Sequence, residues 1–335
     1  MSRSVSCNAD SPCAGSKIGG CNVAQLGRLR REFLKVRPGW RGLCLLCFAL
    51  LMQPIWVDDV SDPRLADYRD VRDADLRRKR GLFMAEGRFV VDVLLRDSRY
   101  APDSFFLNPK SFEVLEPVIN ECGGDAPVYV AKQEVFSDVV GFDMHRGCLA
   151  VGNVGEALGF EVLIAQAAKE ASLVIVVEGL RNTENLGGIF RNAMAFGASA
   201  VLMCPESCDP LYRKAIRVSM GGTLCIPFAQ VTSWPAGLSR LRDAGFQLVA
   251  LDLADDAIPL DELGLRIVPD RPVALLLGTE GRGISEAALD QVDHAVRIPM
   301  APGVDSLNVA TASGIAMHAV FAGNGGSNSK PGAPK

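Results

Sequence analysis

The sequence of 335 residues lacks the features of a membrane protein and of a polycation. It contains no uncharged apolar run of about 18 residues, which is the length that a membrane-spanning helix needs. Its 35 Lys and Arg are outnumbered by 39 Asp and Glu, and the formal net charge is −4. A nucleic-acid partner would therefore have to bind to a local basic patch rather than to the overall field of the protein.

Cysteine and histidine do not form the pattern of a metal site. Zinc sites typically combine two closely spaced pairs of ligands. Cys44 and Cys47 have the CxxC spacing, but they lie in an apolar run without a second pair. We therefore predict reduced thiols in a cytoplasmic protein, no metal ion and no disulfide framework.

Shifts in composition divide the chain into five predicted segments. The leader is rich in Ser, Gly and Cys up to about residue 21, then basic, then apolar up to Met52. We expect it to be disordered or absent from the natural product, with Met52 as an alternative start. A secretory signal is the other interpretation, although no small-residue cleavage site follows the apolar run. The predicted segments are a leader at 1–57, a small mixed α/β lobe at 58–152, a connector at 153–170, an α/β domain at 171–323 and a flexible tail at 324–335.

Apolar runs alternate with helical patterns from Ala171 onward. These runs are rich in Val, Ile and Leu, which is typical of strands that are covered on both faces in a parallel sheet. Asp209 and Pro210 are predicted as an N-cap and the first residue of a helix. The predicted strands are Leu173–Val177, Ala200–Met203, Gln247–Leu251, Val273–Leu277 and Ala295–Ile298, and helices are predicted to begin near Asn185, Pro210, Pro235, Ser285 and Ser306.

In the smaller lobe, fewer sequence patterns indicate strands and helices. Strands are predicted at 104–107, 128–130 and 148–151. Phe89, Val90, Val93 and Leu94 have the spacing of one buried helix face.

Three polar, glycine-bearing segments follow predicted strands of the larger domain. They are 178–197, 277–284 and 298–312. Ligand sites in open α/β sheets form at the carboxyl ends of strands, so these segments are the candidate site. The second segment has the spacing GxxGxG, and the chain lacks GxxxxGK[ST], which argues against an ordinary dinucleotide or nucleotide-phosphate loop.

Each segment taken alone has a simpler interpretation. Asn185 could cap the helix, because Asn is a common N-cap residue. An arginine on a helix, such as Arg191, is usually solvated or salt-bridged. The glycines of the second segment permit a tight turn. In the third segment, Asp305 or Ser306 is predicted to cap the last helix, and Ser306 and Asn308 lie in its first turn.

Taken together, the residues, order and spacing of the three segments resemble the motifs of the SpoU/TrmH family of RNA 2′-O-ribose methyltransferases, in the SPOUT superfamily. The resemblance covers about residues 171–322 and includes an intermediate stretch at 209–228. Residues 60–152 more weakly resemble the ribosomal-protein-like lobe that binds substrate RNA in this family. The resemblance implies a deep trefoil knot, a cytoplasmic homodimer, rRNA or tRNA as the substrate and S-adenosylmethionine as the methyl donor.

The resemblance also implies roles for individual residues. Arg191 matches the arginine that is proposed to stabilise the attacking ribose oxygen. Because an arginine is nearly always protonated, electrostatic stabilisation is favoured over proton abstraction. The other carried-over catalytic positions are Asn185, Glu280, Ser306 and Asn308, and the donor-binding positions are Gly278, Gly281, Ile298, Met300 and Leu307.

Basic residues occur in two groups that the resemblance makes candidates for RNA contact. One is Arg77, Arg78, Lys79 and Arg80 at the entry to the lobe; the other is Arg217, with Arg213 and Lys214. A solvated helix face is the alternative for such charge runs.

Two other functions stay open from the sequence. One is a catalytically inactive relative that binds RNA; the intact Asn185, Arg191, Glu280, Ser306 and Asn308 argue against it. The second is a different nucleotide-binding α/β enzyme, such as an oxidoreductase. That enzyme would need a phosphate-binding glycine loop after its first strand, and 178–188 is too polar and too long for one.

Overall fold

A computed structural model describes residues 52–69, 72–141, 144, 147–254, 256–279, 281–304 and 306–323. They form two β-sheets with helices between the strands. The predictions for 1–51, for the tail at 324–335, and for Glu280 and Asp305 lie outside the described residues.

Residues 55–153 form a five-stranded mixed sheet. In chain order its elements are β1 Ile55–Trp56, a 3-10 helix Pro63–Tyr68, α1 Asp73–Arg80, β2 Leu82–Glu86, α2 Arg88–Arg96, β3 Pro102–Leu107, α3 Pro109–Cys122, β4 Val128–Val130, α4 Gln133–Val140 and β5 Cys148–Asn153. The spatial order is β1-β4-β3-β5-β2, in which β5 is antiparallel to β3 and to β2. The sheet thus begins at Ile55, upstream of residue 58, where the sequence predicts the lobe to start.

Two apolar layers cover the faces of this sheet. Successive residues of β3 alternate between the layers, with Phe105 in one and Phe106 in the other, as the geometry of a strand requires. The Phe106 ring stacks on Phe136 with ring centroids 4.5 Å apart. The Tyr68 hydroxyl, whose pKa is raised by burial, shares a hydrogen bond of 2.7 Å with Ser104.

Helix α2 confirms most of the predicted buried face. Val90, Val93 and Leu94 are buried, but Phe89 is 57% exposed, so its placement on that face is wrong. The reason is that Val91 is buried as well. Successive residues of a helix are about 100° apart, so the centre of the four buried side chains lies about 120° around the helix from Phe89.

Residues 160–323 form a seven-stranded sheet in which all neighbouring strands are parallel. Its elements are α5 Phe160–Lys169, β6 Leu173–Val177, α6 Thr183–Ala195, β7 Ala200–Met203, α7 Arg213–Val218, α8 Gly222–Cys225, β8 Phe228–Gln230, α9 Leu238–Asp243, β9 Gln247–Leu251, β10 Ile258–Pro259, a 3-10 helix Leu260–Leu265, β11 Val273–Leu277, α10 Glu286–Leu289, β12 His294–Arg297 and α11 Val309–Gly323. The spatial order is β10-β12-β9-β11-β6-β7-β8. This confirms the predicted α/β domain with a parallel sheet.

The apolar runs predict five of the seven strands of this sheet, and no run predicts β8 or β10. Strands β6, β7, β9 and β11 have the predicted bounds, and β12 starts one residue earlier than predicted. Every residue of β6 and β11 is buried, because separate apolar clusters cover the two faces of the sheet. Such strands are recognisable from sequence because both faces must be apolar.

The predicted N-cap at Asp209 is wrong. Its side chain accepts a hydrogen bond from the Leu211 N–H at 2.8 Å, which closes a turn, and helix α7 begins only at Arg213. Asp and Pro are as typical of such turns as of helix starts, and local sequence does not separate the two.

The segment with α7 and α8 joins the two sheets. Leu211, Ile216 and Leu224 belong to the larger domain by sequence, yet they pack into the apolar layer of the first sheet, with Phe83 among its members. The Arg77 guanidinium forms an ion pair of 2.8 Å with Asp209 across the same contact. The lobe and the parallel-sheet domain therefore share a core.

We expect Phe106→Ala to destabilise the protein by about 3–5 kcal/mol, because it removes a fully buried ring and leaves a cavity beside Phe136. Val114→Ala is the control, since Val114 is 55% exposed on α3. Urea denaturation measures both. Equal stability of the two variants would contradict the described core.

Candidate active site

The three predicted segments meet at one edge of the parallel sheet. Strands β6, β11 and β12 run in the same direction, so the residues that follow them emerge on the same side. The order β12-β9-β11-β6 keeps these strands within four neighbouring positions. The carboxyl edge is where open parallel sheets bind ligands.

The first segment leads from β6 into α6. Asn182 caps this helix, because its side chain accepts hydrogen bonds from the N–H groups of Glu184 at 2.8 Å and Asn185 at 3.2 Å. The prediction that Asn185 is the cap is therefore wrong by three residues. Asn185 is buried in the first turn, and its Oδ1 accepts a hydrogen bond of 2.9 Å from Asn308 Nδ2.

The third segment leads from β12 into α11. The Asn308 side chain caps this helix, with Oδ1 accepting from the N–H groups of Ala310 at 3.0 Å and Thr311 at 3.2 Å. Ser306 precedes the helix and is exposed, so the prediction that it caps the helix is wrong. The Asn308 side chain thus caps α11 through Oδ1 and donates a hydrogen bond to Asn185 on α6 through Nδ2.

Helices α6 and α11 lie in close contact below the two asparagines. A Cβ atom on Gly188 would lie 2.6 Å from the Cβ atom of Ala310, so only glycine fits at this point. Asn192 Nδ2 donates to the Ala310 carbonyl at 2.7 Å and to Ser313 Oγ at 2.9 Å. Asn192 was not predicted as a site residue, although an amide side chain four residues after Gly188 on the same helix is a pattern that could have indicated it.

The second segment is a tight loop after β11. Thr279 and Gly283 exchange two backbone hydrogen bonds of 3.1 and 3.0 Å. A Cβ atom on Gly278 would lie 2.2 Å from the Gly283 carbonyl carbon, so this loop excludes any side chain there. Gly281 has φ +91° and Gly283 has φ +68°, which are conformations that favour glycine.

The first and second segments touch each other. A Cβ atom on Gly179 would lie 3.0 Å from Cγ2 of Thr279. The Gly179 N–H donates to Cys204 Sγ at 2.8 Å, and burial raises the pKa of this thiol, which favours its neutral form. The loops after β6, β7 and β11 are thereby held together.

Apolar side chains of the third segment border the same edge. Ile298 is half-buried against the core cluster of the parallel sheet. Met300 is half-buried, and Leu307 is 38% exposed beside the Asn308 cap. A glycine loop and apolar side chains at one edge suit a ligand that is held by main-chain groups and by contact with apolar atoms.

Arg191 lies on α6 between the two contacts with α11. Its side chain is exposed, and it forms no ion pair with any carboxylate in the described part of the chain. The backbone behind it is tightly packed, because a Cβ atom on Gly222 would lie 3.0 Å from the Phe190 carbonyl oxygen and 3.5 Å from the Arg191 nitrogen. The guanidinium therefore projects from a rigid stretch of backbone.

Most of the predicted RNA-binding cations have carboxylate partners within the protein. Arg77 pairs with Asp209, Lys79 with Asp75 at 3.0 Å, Arg80 with Asp67, and Arg217 with Glu86 at 3.2 Å. Arg78 is exposed. The Arg77 pair is partly buried between the lobe and the larger domain.

The described part of the chain contains neither a cluster of metal-binding side chains nor a membrane-spanning helix. No group of three or more His, Cys, Asp or Glu side chains in that part of the chain is arranged to hold a metal ion. None of the helices described combines the length and apolar character needed to cross a bilayer.

Known proteins are similar to this chain over the region that contains the candidate site. The profile of the SpoU rRNA Methylase family matches residues 172–318, which include the candidate site. An uncharacterized tRNA/rRNA methyltransferase of Mycobacterium tuberculosis is 41% identical over 267 residues, covering 78% of this chain and 90% of that protein. The 23S rRNA (guanosine-2′-O-)-methyltransferase of Vibrio parahaemolyticus is 27% identical over 233 residues, covering 67% of this chain and 90% of that protein.

A solved structure extends the similarity to the lobe. The AdoMet-bound rRNA methyltransferase of Sinorhizobium meliloti has a TM-score of 0.66 and 26% identity, covering 80% of this chain and 97% of that chain. The family profile, the sequence relatives and the solved structure all indicate similarity to RNA methyltransferases. The chain therefore belongs to the SpoU/TrmH family of RNA methyltransferases.

Proposed function

We propose that this protein transfers a methyl group from S-adenosylmethionine to a ribose 2′-hydroxyl of rRNA or tRNA. The proposal rests mainly on the Asn185–Asn308 hydrogen bond of 2.9 Å, which joins the first and third segments. Asn185 lies on α6, the helix that also carries Arg191. The similarity to a relative named as a guanosine-2′-O-methyltransferase supports the ribose as the acceptor.

The residues of the second and third segments fit the methyl donor. Gly278 leaves no space for a side chain, and the backbone at Gly281 is exposed for approach by a ligand. Ile298, Met300 and Leu307 offer apolar contact to the ring system of the donor. When bound, S-adenosylmethionine supplies an electrophilic methyl group on a sulfonium.

Arg191 acts on the acceptor in this proposal. A ribose hydroxyl is a weak nucleophile, and its oxygen gains negative charge as its proton passes to an acceptor, for which a phosphate of the RNA is available. The oxygen then bonds to the methyl carbon while the methyl–sulfur bond breaks, which leaves S-adenosylhomocysteine. An exposed guanidinium on a tightly packed stretch of backbone stabilises that negative charge and positions the oxygen. Asn185, Asn308 and Ser306 orient the ribose, and Glu280 has the same proposed role from the sequence.

The RNA-binding surface in this proposal combines the lobe with the cations beside the site. Arg78 is exposed and Arg217 pairs with Glu86 on the surface, and a phosphate group competes with a carboxylate for such cations. Arg77, Lys79 and Arg80 remain candidates that would have to exchange their partners.

The assembly and the topology are proposals as well. Met194 on α6 and Ile315 on α11 are exposed apolar side chains on the two helices that carry the site, which supports a homodimer that covers them. A trefoil knot is supported by β11, which follows β9 and β10 in sequence but lies between β9 and β6 in the sheet. Relatives that act on bacterial rRNA support a cytoplasmic location.

We expect Arg191→Ala to lower methyl transfer to RNA by about 100-fold or more, because one preorganised charge at the reacting oxygen is lost. Transfer of tritium from labelled donor to RNA measures the rate. Arg240→Ala, which removes an exposed arginine paired with Glu161 on the opposite part of the domain, is the control and should retain the wild-type rate.

Donor binding separates a catalytic role of Arg191 from a structural one. Calorimetry should give the same donor affinity for Arg191→Ala and wild type. A rate near that of wild type would refute the assigned role. Wild-type protein that binds RNA without transferring a methyl group would identify the inactive, RNA-binding alternative instead.

We expect Gly278→Ala to weaken donor binding at least about tenfold, because the methyl group would collide with the Gly283 backbone and displace the loop. Gly159→Ala is the matched control, since a Cβ atom there meets only Val162 at an ordinary 3.7 Å. Calorimetric titration with S-adenosylmethionine measures both variants. Equal affinity in a folded Gly278→Ala protein would remove this loop from the donor site.

A further inference from the structure

Glu178 is a polar residue at the carboxyl edge that the reaction does not use. It directly follows β6, and its backbone N–H donates to the Leu277 carbonyl at 2.9 Å, which extends the pairing of β6 with β11. Its side chain is half-buried. The sheet therefore fixes the backbone of Glu178, and the carboxylate can accept hydrogen bonds from the loops around it.

The two carboxylate oxygens of Glu178 have different partners. Oε1 accepts a hydrogen bond of 2.7 Å from the indole Nε1 of Trp234, and Oε2 accepts one of 2.9 Å from the Ser285 N–H. Trp234 lies in the segment that follows β8, and Ser285 lies at the end of the loop that follows β11. One side chain thus joins the segments that follow three different strands.

The bond to Ser285 closes the second segment. Ser285 is the N-cap residue of α10, and its own side chain makes no capping hydrogen bond. The loop is fixed at its first end by β11 and in its middle by the Thr279–Gly283 pair. The Glu178 carboxylate fixes the C-terminal end of the loop through the Ser285 N–H, so the loop is held at three points.

We propose that Glu178 is a positioning residue for the methyl donor: it holds the loop 278–284 in its donor-binding shape through the Ser285 N–H and the Trp234 indole. This inference rests on the proposed function. A carboxylate suits the task because it offers two acceptor oxygens in one plane, whereas an amide offers one.

The test compares Glu178→Ala and Glu178→Gln in the full chain, with Glu170→Gln as the control. Glu170 is an exposed glutamate at the end of α5, before β6 begins. For Glu178→Ala we expect Kd and KM for S-adenosylmethionine to rise about tenfold, which corresponds to about 1.4 kcal/mol. Its kcat at saturating donor should stay within about threefold of wild type. Glu178→Gln retains one acceptor and should fall in between.

Fluorescence of Trp234 provides a readout that a general loss of stability would not give. The chain has three tryptophans, so Trp40→Phe with Trp56→Phe leaves Trp234 as the single reporter. In this background, Glu178→Ala should change the indole emission before donor is added, and Glu170→Gln should not. Donor titration should change the emission of the unmutated Glu178 protein with the calorimetric Kd.

Several outcomes would overturn the inference. Unchanged donor affinity in folded Glu178→Ala protein is one, and a lower kcat with unchanged KM for the donor is another, since it would place Glu178 in the reaction itself. If Glu178→Ala does not fold, unchanged donor affinity in Glu178→Gln has the same meaning. A wild-type chain that does not bind the donor would refute the proposed function, which is a distinguishable result.

Discussion

The contact between α6 and α11 is the constraint on which the rest of the site depends. Asn185 and Asn308 are 123 positions apart in the chain, and a single hydrogen bond joins them. That bond is available because Gly188 allows the two helices to approach and Asn192 fixes their register through Ala310 and Ser313. Any shift between the helices would separate Arg191 from the third segment. In the proposed function, the packing of these two helices therefore sets the position of the backbone that carries Arg191 relative to the third segment.

The same logic extends to the lobe. Residues 209–225 pack into the core of the first sheet, and a Cβ atom on Gly221 would lie 2.8 Å from Cγ1 of Val93 in that lobe. On its other side, this segment packs against α6, where a Cβ atom on Gly187 would lie 2.8 Å from the Ala215 carbonyl oxygen. The orientation of the lobe is thereby connected to the helix that bears Arg191 through directly packed backbone. An RNA held by the lobe would be presented at a fixed angle to that arginine.

Sequence alone predicts the strands of the parallel sheet well and the helix starts poorly. Strands such as β6 and β11 are buried on both faces, so their apolar runs leave few alternatives. Helix starts depend on which of several neighbouring Asn, Asp and Ser side chains reaches the free N–H groups, which is a matter of tertiary geometry. Asn182 and Asn308 therefore cap helices for which the sequence indicates Asn185 and Ser306 equally well. The interaction of Arg77 with Asp209 is likewise invisible in a run of four basic residues, because its partner is 132 positions away.

The most direct test of the account is to identify the product. Wild-type protein is incubated with methyl-labelled S-adenosylmethionine and unmodified rRNA or tRNA, and the RNA is then digested to nucleosides for mass spectrometry. We predict that the label is recovered in a 2′-O-methylated nucleoside. Label in a base-methylated nucleoside would contradict it, because the geometry around Arg191, Asn185 and Asn308 would then serve a different acceptor.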